Sequence, residues 1–143
     1  MHNYDQSFYD YIEGGAIRSA DILILLVLKT LEINSVLDVG CGRGAWLSRW
    51  NKHGVSITGI DGDYVNRQSL LIEAANFHAK DLSKKFLLDQ HYSLVQSLEV
   101  AEHLPESSAA EFVASLCSHG NAVLFSAAAP GQGGENHINE QPY

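Results

Sequence analysis

The segment from Ser35 to Trp46 constrains the fold of this chain more than any other, because it joins a short apolar strand to a glycine-rich turn. Gly40, Gly42 and Gly44 stand at alternate positions, so the backbone there can adopt positive φ angles and approach a ligand closely. Asp38 precedes the turn. Such a strand-to-helix junction is typical of a nucleoside site. It is equally typical of an ordinary turn in which Asp38 caps a local N–H.

Length, cysteine content and charge narrow the class of protein. The 143 residues fit one domain. Cys41 and Cys117 show no Cys-x-x-Cys spacing, which argues against a zinc knuckle or a disulfide framework and predicts a reducing, cytoplasmic location. The longest apolar run, from Ile22 to Leu28, is far shorter than the ~20 residues of a membrane span. A formal net charge of -8 argues against a nucleic-acid partner and favours an uncharged or cationic small molecule.

Strand and helix patterns alternate along the chain. The predicted strands cover residues 35–39, 55–60, 77–79, 93–98 and 121–127. The predicted helices cover residues 16–33, 45–53, 64–75 and 106–118. The first helix is apolar nearly all round, so we expect other elements to cover it. The alternation predicts an α/β fold with a doubly wound, mostly parallel sheet, and such sheets bind ligands at the carboxyl ends of their strands.

Two further carboxylates stand where predicted strands end. Asp61 follows Gly40 by 21 residues and can accept hydrogen bonds from both hydroxyls of a ribose bound over the turn. Asp81 can accept from the exocyclic amine of an adenine, while Leu82 covers the ring. Each also has an ordinary interpretation, Asp61 as the start of a turn with Gly62 and Asp81 as an N-cap. Three carboxylates at successive strand ends favour one shared ligand.

These segments resemble the class I S-adenosylmethionine-dependent methyltransferases. The resemblance spans roughly residues 16–130 and rests on Val36-Leu37-Asp38-Val39-Gly40-Cys41-Gly42-Arg43-Gly44, Gly59-Ile60-Asp61 and Ala79-Lys80-Asp81-Leu82. It implies a Rossmann-like core that binds S-adenosylmethionine, with Asp38 at the methionine amino group, Asp61 at the ribose and Asp81 at the adenine. The residues that it implies for the cofactor site are Asp38, Gly40, Cys41, Gly42, Asp61, Gly62, Asp81, Leu82 and Ser97.

The segment after the fourth predicted strand carries a second set of polar residues. In a helical turn, Glu99, Glu102 and His103 would share one face. Three interpretations stay open at this point. The segment is a polar helix start with a solvated imidazole, a base site in which His103 takes a proton from an acceptor hydroxyl while Glu102 orients the ring, or a site for a divalent metal ion.

Glu-x-x-Glu-His also resembles the metal-binding segment of a subset of these enzymes, which includes small-RNA and polyprenyl-quinone O-methyltransferases. That resemblance implies a further ligand in the loop after the fifth strand, where His137 stands. The implied metal ligands are Glu99, Glu102, His103 and His137, and the implied catalytic residues are His103, Glu102 and His137. The Gly-Gln-Gly-Gly loop resembles bacterial methyltransferases of small-molecule or glycan biosynthesis. We expect methyl transfer to an oxygen of such an acceptor, with a nitrogen as the alternative.

Polar and aromatic residues that end in Gly14 and Gly15 mark the boundary between an arm and the domain. We assign residues 1–15 to an N-terminal arm and residues 16–143 to the S-adenosylmethionine-binding domain. Family members normally continue beyond the fifth strand, so we expect a sheet truncated there, with an exposed edge that favours a homodimer. An alternative function is a cofactor-binding or partner-binding module without turnover. The positions of Asp38 and Asp81 argue against a third reading, a nicotinamide dehydrogenase.

Overall fold

A computed structural model describes residues 6–142, with side chains from Asp10 onward, and it contains a five-stranded sheet with helices on both faces. The strands are β1 Ser35–Val39, β2 Ser56–Asp61, β3 Phe77–Ala79, β4 Leu94–Leu98 and β5 Val123–Ser126. The α-helices are α1 Gln6–Thr30, α2 Ala45–Lys52 and α3 Ala109–Ser118. The first five residues of the predicted arm lie outside the described residues.

All strand pairs in the sheet are parallel, in the order β3-β2-β1-β4-β5. The chain therefore reverses its direction of winding between β1 and β4, and sheets of this kind bind ligands at that reversal. Asp38 in the central strand pairs with Gly59 on one side and with Gln96 on the other. The predicted α/β fold with a doubly wound parallel sheet is confirmed.

Successive residues of β1 enter two different hydrophobic cores, as the two-residue repeat of a strand requires. Val36 packs with Ile24 of α1 and Trp50 of α2 on one face. Leu37 packs with Phe112 of α3 on the other face. The sheet is thus covered on both sides, and its strand ends are held in fixed positions around the reversal point.

The first helix is longer than the sequence predicts. It begins at Gln6 rather than at Ala16 and runs through Gly14 and Gly15 without a break. A glycine in a helix interior costs about 1 kcal/mol relative to alanine, so local propensity argues for an interruption. The carboxylate of Glu13 lies 3.0 Å from Nε of Arg43, and this tertiary ion pair attaches the first half of the helix to the glycine turn.

The expectation that other elements cover α1 on all sides is wrong for the described part of the chain. Ala20 and Ile24 are fully buried, whereas Ile22 and Leu26 are 64% and 53% exposed. One stripe of the helix contacts the core, and the opposite stripe faces outward. Among the described residues, no helix combines the length and apolar character needed to cross a bilayer.

The predicted helix over residues 64–75 does not form. In its place the chain makes two short 3₁₀ turns, Arg67–Ser69 and Ala74–Asn76. The backbone N–H of Gln68 donates to the side chain of Asn66, and the N–H of Leu71 donates to the carbonyl of Arg43 at 2.8 Å. These N–H groups therefore do not make the i to i−4 hydrogen bonds of an α-helix. The segment instead lies across the glycine turn and bonds to it through Leu71.

Candidate functional site

The glycine turn after β1 depends on its glycines for two different reasons. Gly40 has a φ of 84°, and a Cβ there would lie 2.4 Å from Cγ2 of Val100. A side chain at this position would therefore strain the backbone and collide with the segment after β4. Gly42 has a φ of 53° and nothing within 4 Å of the position that a Cβ would take. The turn is closely packed at Gly40 and open to a ligand at Gly42.

A cavity of about 830 Å³ lies at the carboxyl ends of the strands, and its size is that of a site for a small organic ligand. It brings together six of the predicted cofactor residues and two residues of the second polar set. These residues are Gly40, Gly42, Asp61, Gly62, Asp81, Leu82, Glu99 and His103.

Asp61 is fixed by three donors. Its Oδ2 accepts the N–H of Gly42 at 2.7 Å, which ties the end of β2 to the glycine turn. Its Oδ1 accepts the N–H of Gly62 at 2.7 Å and the hydroxyl of Tyr64 at 2.5 Å. Tyr64 also lines the cavity, and the sequence analysis did not identify it.

Asp81 and Leu82 follow β3 at the far side of the cavity. Oδ1 of Asp81 accepts hydrogen bonds from the N–H and the hydroxyl of Ser83, and Lys84 lies 3.2 Å from Oδ2. The bonds from Ser83 and then Lys84 lower the pKa of Asp81, so the carboxylate is charged at neutral pH. Asp81 thus caps the turn that follows it, as its ordinary interpretation expects, and it also borders the cavity.

Three predicted cofactor residues lie beneath the cavity wall rather than on it. Burial raises the pKa of Asp38 to about 7; the Gln96 carboxamide opposes this rise and the charge of Asp61 adds to it. Burial also raises the pKa of the Cys41 thiol, which is therefore neutral. Ser97 is fully buried, and its hydroxyl has no hydrogen-bond partner.

Glu99 does not share a helical face with Glu102 and His103, so that part of the prediction is wrong. Glu99 has a φ of 56°, and the 3₁₀ turn begins two residues later, at Ala101–His103. Its Oε2 accepts a hydrogen bond from Nε2 of Gln132 at 3.3 Å. Because its backbone is left-handed, Glu99 does not continue the helical turn of Glu102 and His103. A left-handed conformation at a residue other than glycine cannot be recognised from the spacing of residues in the sequence.

Glu102, His103 and His137 form a compact group, and each offers a ligand atom within 4.8 Å of the other two. Glu102 is fully buried, and neither of its carboxylate oxygens has a hydrogen-bond partner. The nearest imidazole atom is Nε2 of His137, 4.0 Å from Oε1. Burying a carboxylate without partners costs several kcal/mol unless a cation or a proton compensates it.

The loop after β5 is anchored beside this group. The N–H groups of Ile138 and Asn139 donate to the backbone carbonyl of Glu102 at 2.9 and 3.1 Å. Nδ1 of His137 lies 3.0 Å from Oε1 of Glu140, whose carboxylate also accepts the N–H of Gly131 at 2.7 Å.

Glu140 holds the loop in this shape as a charged carboxylate. The hydrogen bond from His137 and then that from the Gly131 N–H lower its pKa. Glu140 is not among the residues predicted from the sequence. Glu140 follows His137 by three residues, and this spacing could have indicated a carboxylate that contacts the imidazole.

The sequence matches the family model described as a methyltransferase domain over residues 13–137. It is also 31% identical over 104 residues to the Ubiquinone biosynthesis O-methyltransferase of Yersinia pestis (strain Pestoides F), and to that of Yersinia pseudotuberculosis serotype O:1b (strain IP 31758). Each match covers 64% of this chain and 41% of the relative. The chain thus spans less than half the length of these curated relatives.

Solved structures show the same fold. Streptomyces venezuelae DesVI superposes with a TM-score of 0.72 at 23% identity, covering 93% of this chain and 62% of that one. SAM-bound CalS10, an amino pentose methyltransferase from Micromonospora echinaspora, gives 0.69 at 22% identity, covering 91% and 60%. The family match, the parallel sheet and the glycine turn agree, and the chain belongs to the class I S-adenosylmethionine-dependent methyltransferases.

Proposed function

We propose that this chain transfers a methyl group from S-adenosylmethionine to a hydroxyl oxygen of a small molecule, with the help of a divalent metal ion. The observation that carries the proposal is one shared cavity. It has Asp61 and Asp81 on the strand ends that would hold the donor, and His103 on the side that would meet the acceptor. Methyl transfer requires the acceptor atom to be aligned with the methyl carbon, and a cavity with both sets of groups provides for this.

The donor side supplies a group for each part of the nucleoside. Asp61 offers carboxylate oxygens to the ribose hydroxyls, and Asp81 offers one to the adenine amine beside the apolar surface of Leu82. The open backbone at Gly42 leaves space for the methionine moiety. Asp38 lies below the turn, where its carboxylate would attract the methionine ammonium once it is ionised.

The acceptor class is supported by the names of the relatives. The curated relatives are named for O-methylation in ubiquinone biosynthesis, and the structural relatives include an amino pentose methyltransferase and a magnesium protoporphyrin IX methyltransferase. All of these acceptors are small molecules. The name of the curated relatives specifies oxygen, whereas a glycopeptide N-methyltransferase among the solved structures transfers to nitrogen, so the choice of oxygen rests on the curated relatives.

The group around Glu102 fits a divalent metal ion. Its two carboxylate oxygens are buried without partners, which is the arrangement that a cation would compensate, and Glu102, His103 and His137 would hold the ion. Glu140 would orient His137 through Nδ1, as a carboxylate commonly does for a metal-binding imidazole. When bound there, a divalent ion supplies a Lewis acid that lowers the pKa of a coordinated hydroxyl.

A second candidate is metal-free transfer with His103 as the general base. Nδ1 of His103 lies 3.2 Å from the carbonyl oxygen of Asn136, which can only accept, so Nδ1 carries the proton and Nε2 keeps a lone pair. In this variant Nε2 receives the proton of the acceptor hydroxyl as its oxygen bonds to the methyl carbon. A metal-binding His103 would need the same tautomer, so the tautomer does not distinguish the two mechanisms. Removal of metal ions with a chelator does distinguish them.

Binding of S-adenosylhomocysteine tests the donor site. Asp61→Ala should weaken the binding of S-adenosylhomocysteine by about 1.5 to 3 kcal/mol, because a charge-assisted hydrogen bond to the ribose is lost. Asp89→Ala is the matched control, since Asp89 is exposed and is not among the residues that line this cavity. Calorimetric heat with NAD and none with S-adenosylhomocysteine would contradict the proposal.

Turnover tests the acceptor side. The wild-type protein should release S-adenosylhomocysteine when it is given small hydroxylated acceptors, lose this activity with a chelator, and regain it with Mg²⁺, Mn²⁺ or Zn²⁺. Activity that survives the chelator but is lost in His103→Gln identifies the metal-free base. Tight binding of S-adenosylhomocysteine without any turnover would support a binding module instead.

A further inference from the structure

We infer that Tyr64 competes with a nucleoside for Asp61, because its hydroxyl occupies the place of a ribose hydroxyl and an incoming nucleoside must displace it. The inference rests on the proposed function, in which Asp61 accepts the ribose hydroxyls. It identifies Tyr64 as a residue that sets the affinity for the methyl donor without belonging to the donor's own contacts.

The hydrogen bonds of Asp61 show the competition directly. A carboxylate oxygen has two lone pairs in its plane. Oδ1 already accepts the N–H of Gly62 and the hydroxyl of Tyr64, so both are in use. Oδ2 accepts the N–H of Gly42 and keeps one lone pair. A ribose that donates from both hydroxyls to both oxygens therefore needs the position that the phenol now holds.

Gly62 makes this closed position of the ring possible. A Cβ at residue 62 would lie 2.1 Å from Cε1 and 2.5 Å from Cδ1 of Tyr64, so the ring lies directly against the glycine backbone. The φ of Gly62 is outside the range that L residues avoid. An alanine would thus be acceptable to the backbone, and the three atoms nearest to its Cβ would all belong to the closed ring of Tyr64.

The phenol can leave without disturbing the fold. Tyr64 is 84% exposed, so packing of its ring contributes little to holding it in place. Its main polar contact is the hydrogen bond from its hydroxyl to Oδ1 of Asp61. The next residue, Val65, is buried in the core, and its N–H donates to the carbonyl of Gly62 at 3.3 Å. The backbone of the turn is anchored on both sides of Tyr64, and rotation of one side chain is enough to open Asp61.

Only molecules in which Tyr64 has left Asp61 can bind the nucleoside through that carboxylate. The apparent affinity is therefore reduced in proportion to the fraction of molecules in this open state. Removing the hydroxyl should therefore strengthen binding, which is the opposite of what the loss of a binding residue does. We expect Tyr64→Phe to bind S-adenosylhomocysteine about 3- to 10-fold more tightly than the wild type, as measured by calorimetry.

The effect should depend on Gly62. In the Gly62→Ala background the ring is already excluded, so adding Tyr64→Phe should change the affinity by less than about twofold. Equal or weaker binding by Tyr64→Phe alone would overturn the inference. So would the same gain in both backgrounds, because the hydroxyl would then act from some other position.

A second probe keeps the test valid if Gly62→Ala does not fold. Adenosine should gain from Tyr64→Phe, whereas 2′,3′-dideoxyadenosine, which has no hydroxyls for Asp61, should not. An equal gain for both probes would contradict competition for the carboxylate. The proposed function fails separately, if Asp61→Ala binds S-adenosylhomocysteine as well as the wild type does.

Discussion

His137 directs its Nδ1 atom toward Glu140, whose Oε1 lies 3.0 Å away, and this leaves Nε2 facing the buried carboxylate of Glu102. A charged carboxylate can only accept, so Nδ1 carries a proton, and in the neutral ring Nε2 then offers a lone pair. Glu140 thereby selects the tautomer that a metal ion requires.

Glu140→Gln should weaken binding of Mn²⁺ or Zn²⁺ by about 10- to 100-fold, because the amide no longer fixes the tautomer of His137. Calorimetric titration of the metal into the protein measures this. Glu135→Gln, an exposed position in the same loop, is the matched control and should bind metal like the wild type. Unchanged affinity in Glu140→Gln would remove this role from Glu140.

Binding of S-adenosylhomocysteine should become tighter as the pH rises through about 7. The pKa of Asp38 is raised to about 7 by burial, so the carboxyl is protonated below that value and cannot attract the methionine ammonium. Above it the carboxylate is charged, and the attraction reaches its full strength. Asp38→Asn should bind weakly and lose this pH dependence between pH 6 and about 8.

The same substitution should stabilise the unliganded protein at pH 8. A buried carboxyl whose pKa is raised by folding favours the protonated form, so its contribution to stability is present at low pH and is lost as the pH rises through about 7. Asp38→Asn removes that loss, and the gain in unfolding free energy should be a few kcal/mol at most. A lower melting temperature than the wild type at pH 8 would contradict this account.

Gly40→Ala should destabilise the protein more than Gly54→Ala does. Both glycines have positive φ, but the Cβ added at Gly54 meets nothing within 4 Å, so that variant measures backbone strain alone, about 1 to 2 kcal/mol. At Gly40 the contact with Val100 should add about 1 to 3 kcal/mol. Denaturant unfolding measures both, and Val100→Ala should recover part of the loss only in the Gly40→Ala background.

Glu13→Gln should loosen the first half of α1. Glu13 and Arg43 are both more than four-fifths buried, so the loss of this ion pair should cost about 1 to 2 kcal/mol. Asp63→Asn, which breaks an exposed pair with Arg67, should cost less than about 0.5 kcal/mol. Faster hydrogen exchange in the first half of α1 in Glu13→Gln, and not in Asp63→Asn, would confirm the role of the pair.

The sequence predicted the sheet well, because each strand is a short apolar run that ends at a carboxylate or a turn. Asp61 and Asp81 were placed at strand ends, and the structure has them on one cavity. The start of α1 and the conformation of residues 64–75 were predicted wrongly for a common reason. Both segments contact the glycine turn through Arg43, and a long-range contact of this kind leaves no local pattern.

The second polar set was predicted less completely. Glu102, His103 and His137 come together in the structure although the last two are far apart in the sequence, and their role in binding a metal ion or in catalysis stays a prediction. Glu99 was included because a regular helical turn was assumed, and its left-handed backbone overrides that spacing. Tyr64 was missed because its contact with Asp61 depends on the absence of a side chain at Gly62.

The contact between Gly40 and Val100 gives the two halves of the site a common wall. One side of this wall is the turn that would hold the methyl donor, and the other is the segment that leads to Glu102. A substitution at Val100 that reshapes the proposed acceptor side should therefore also shift the turn proposed to hold the donor. We expect acceptor range and donor affinity to change together at position 100, so attempts to alter the acceptor should leave this position unchanged.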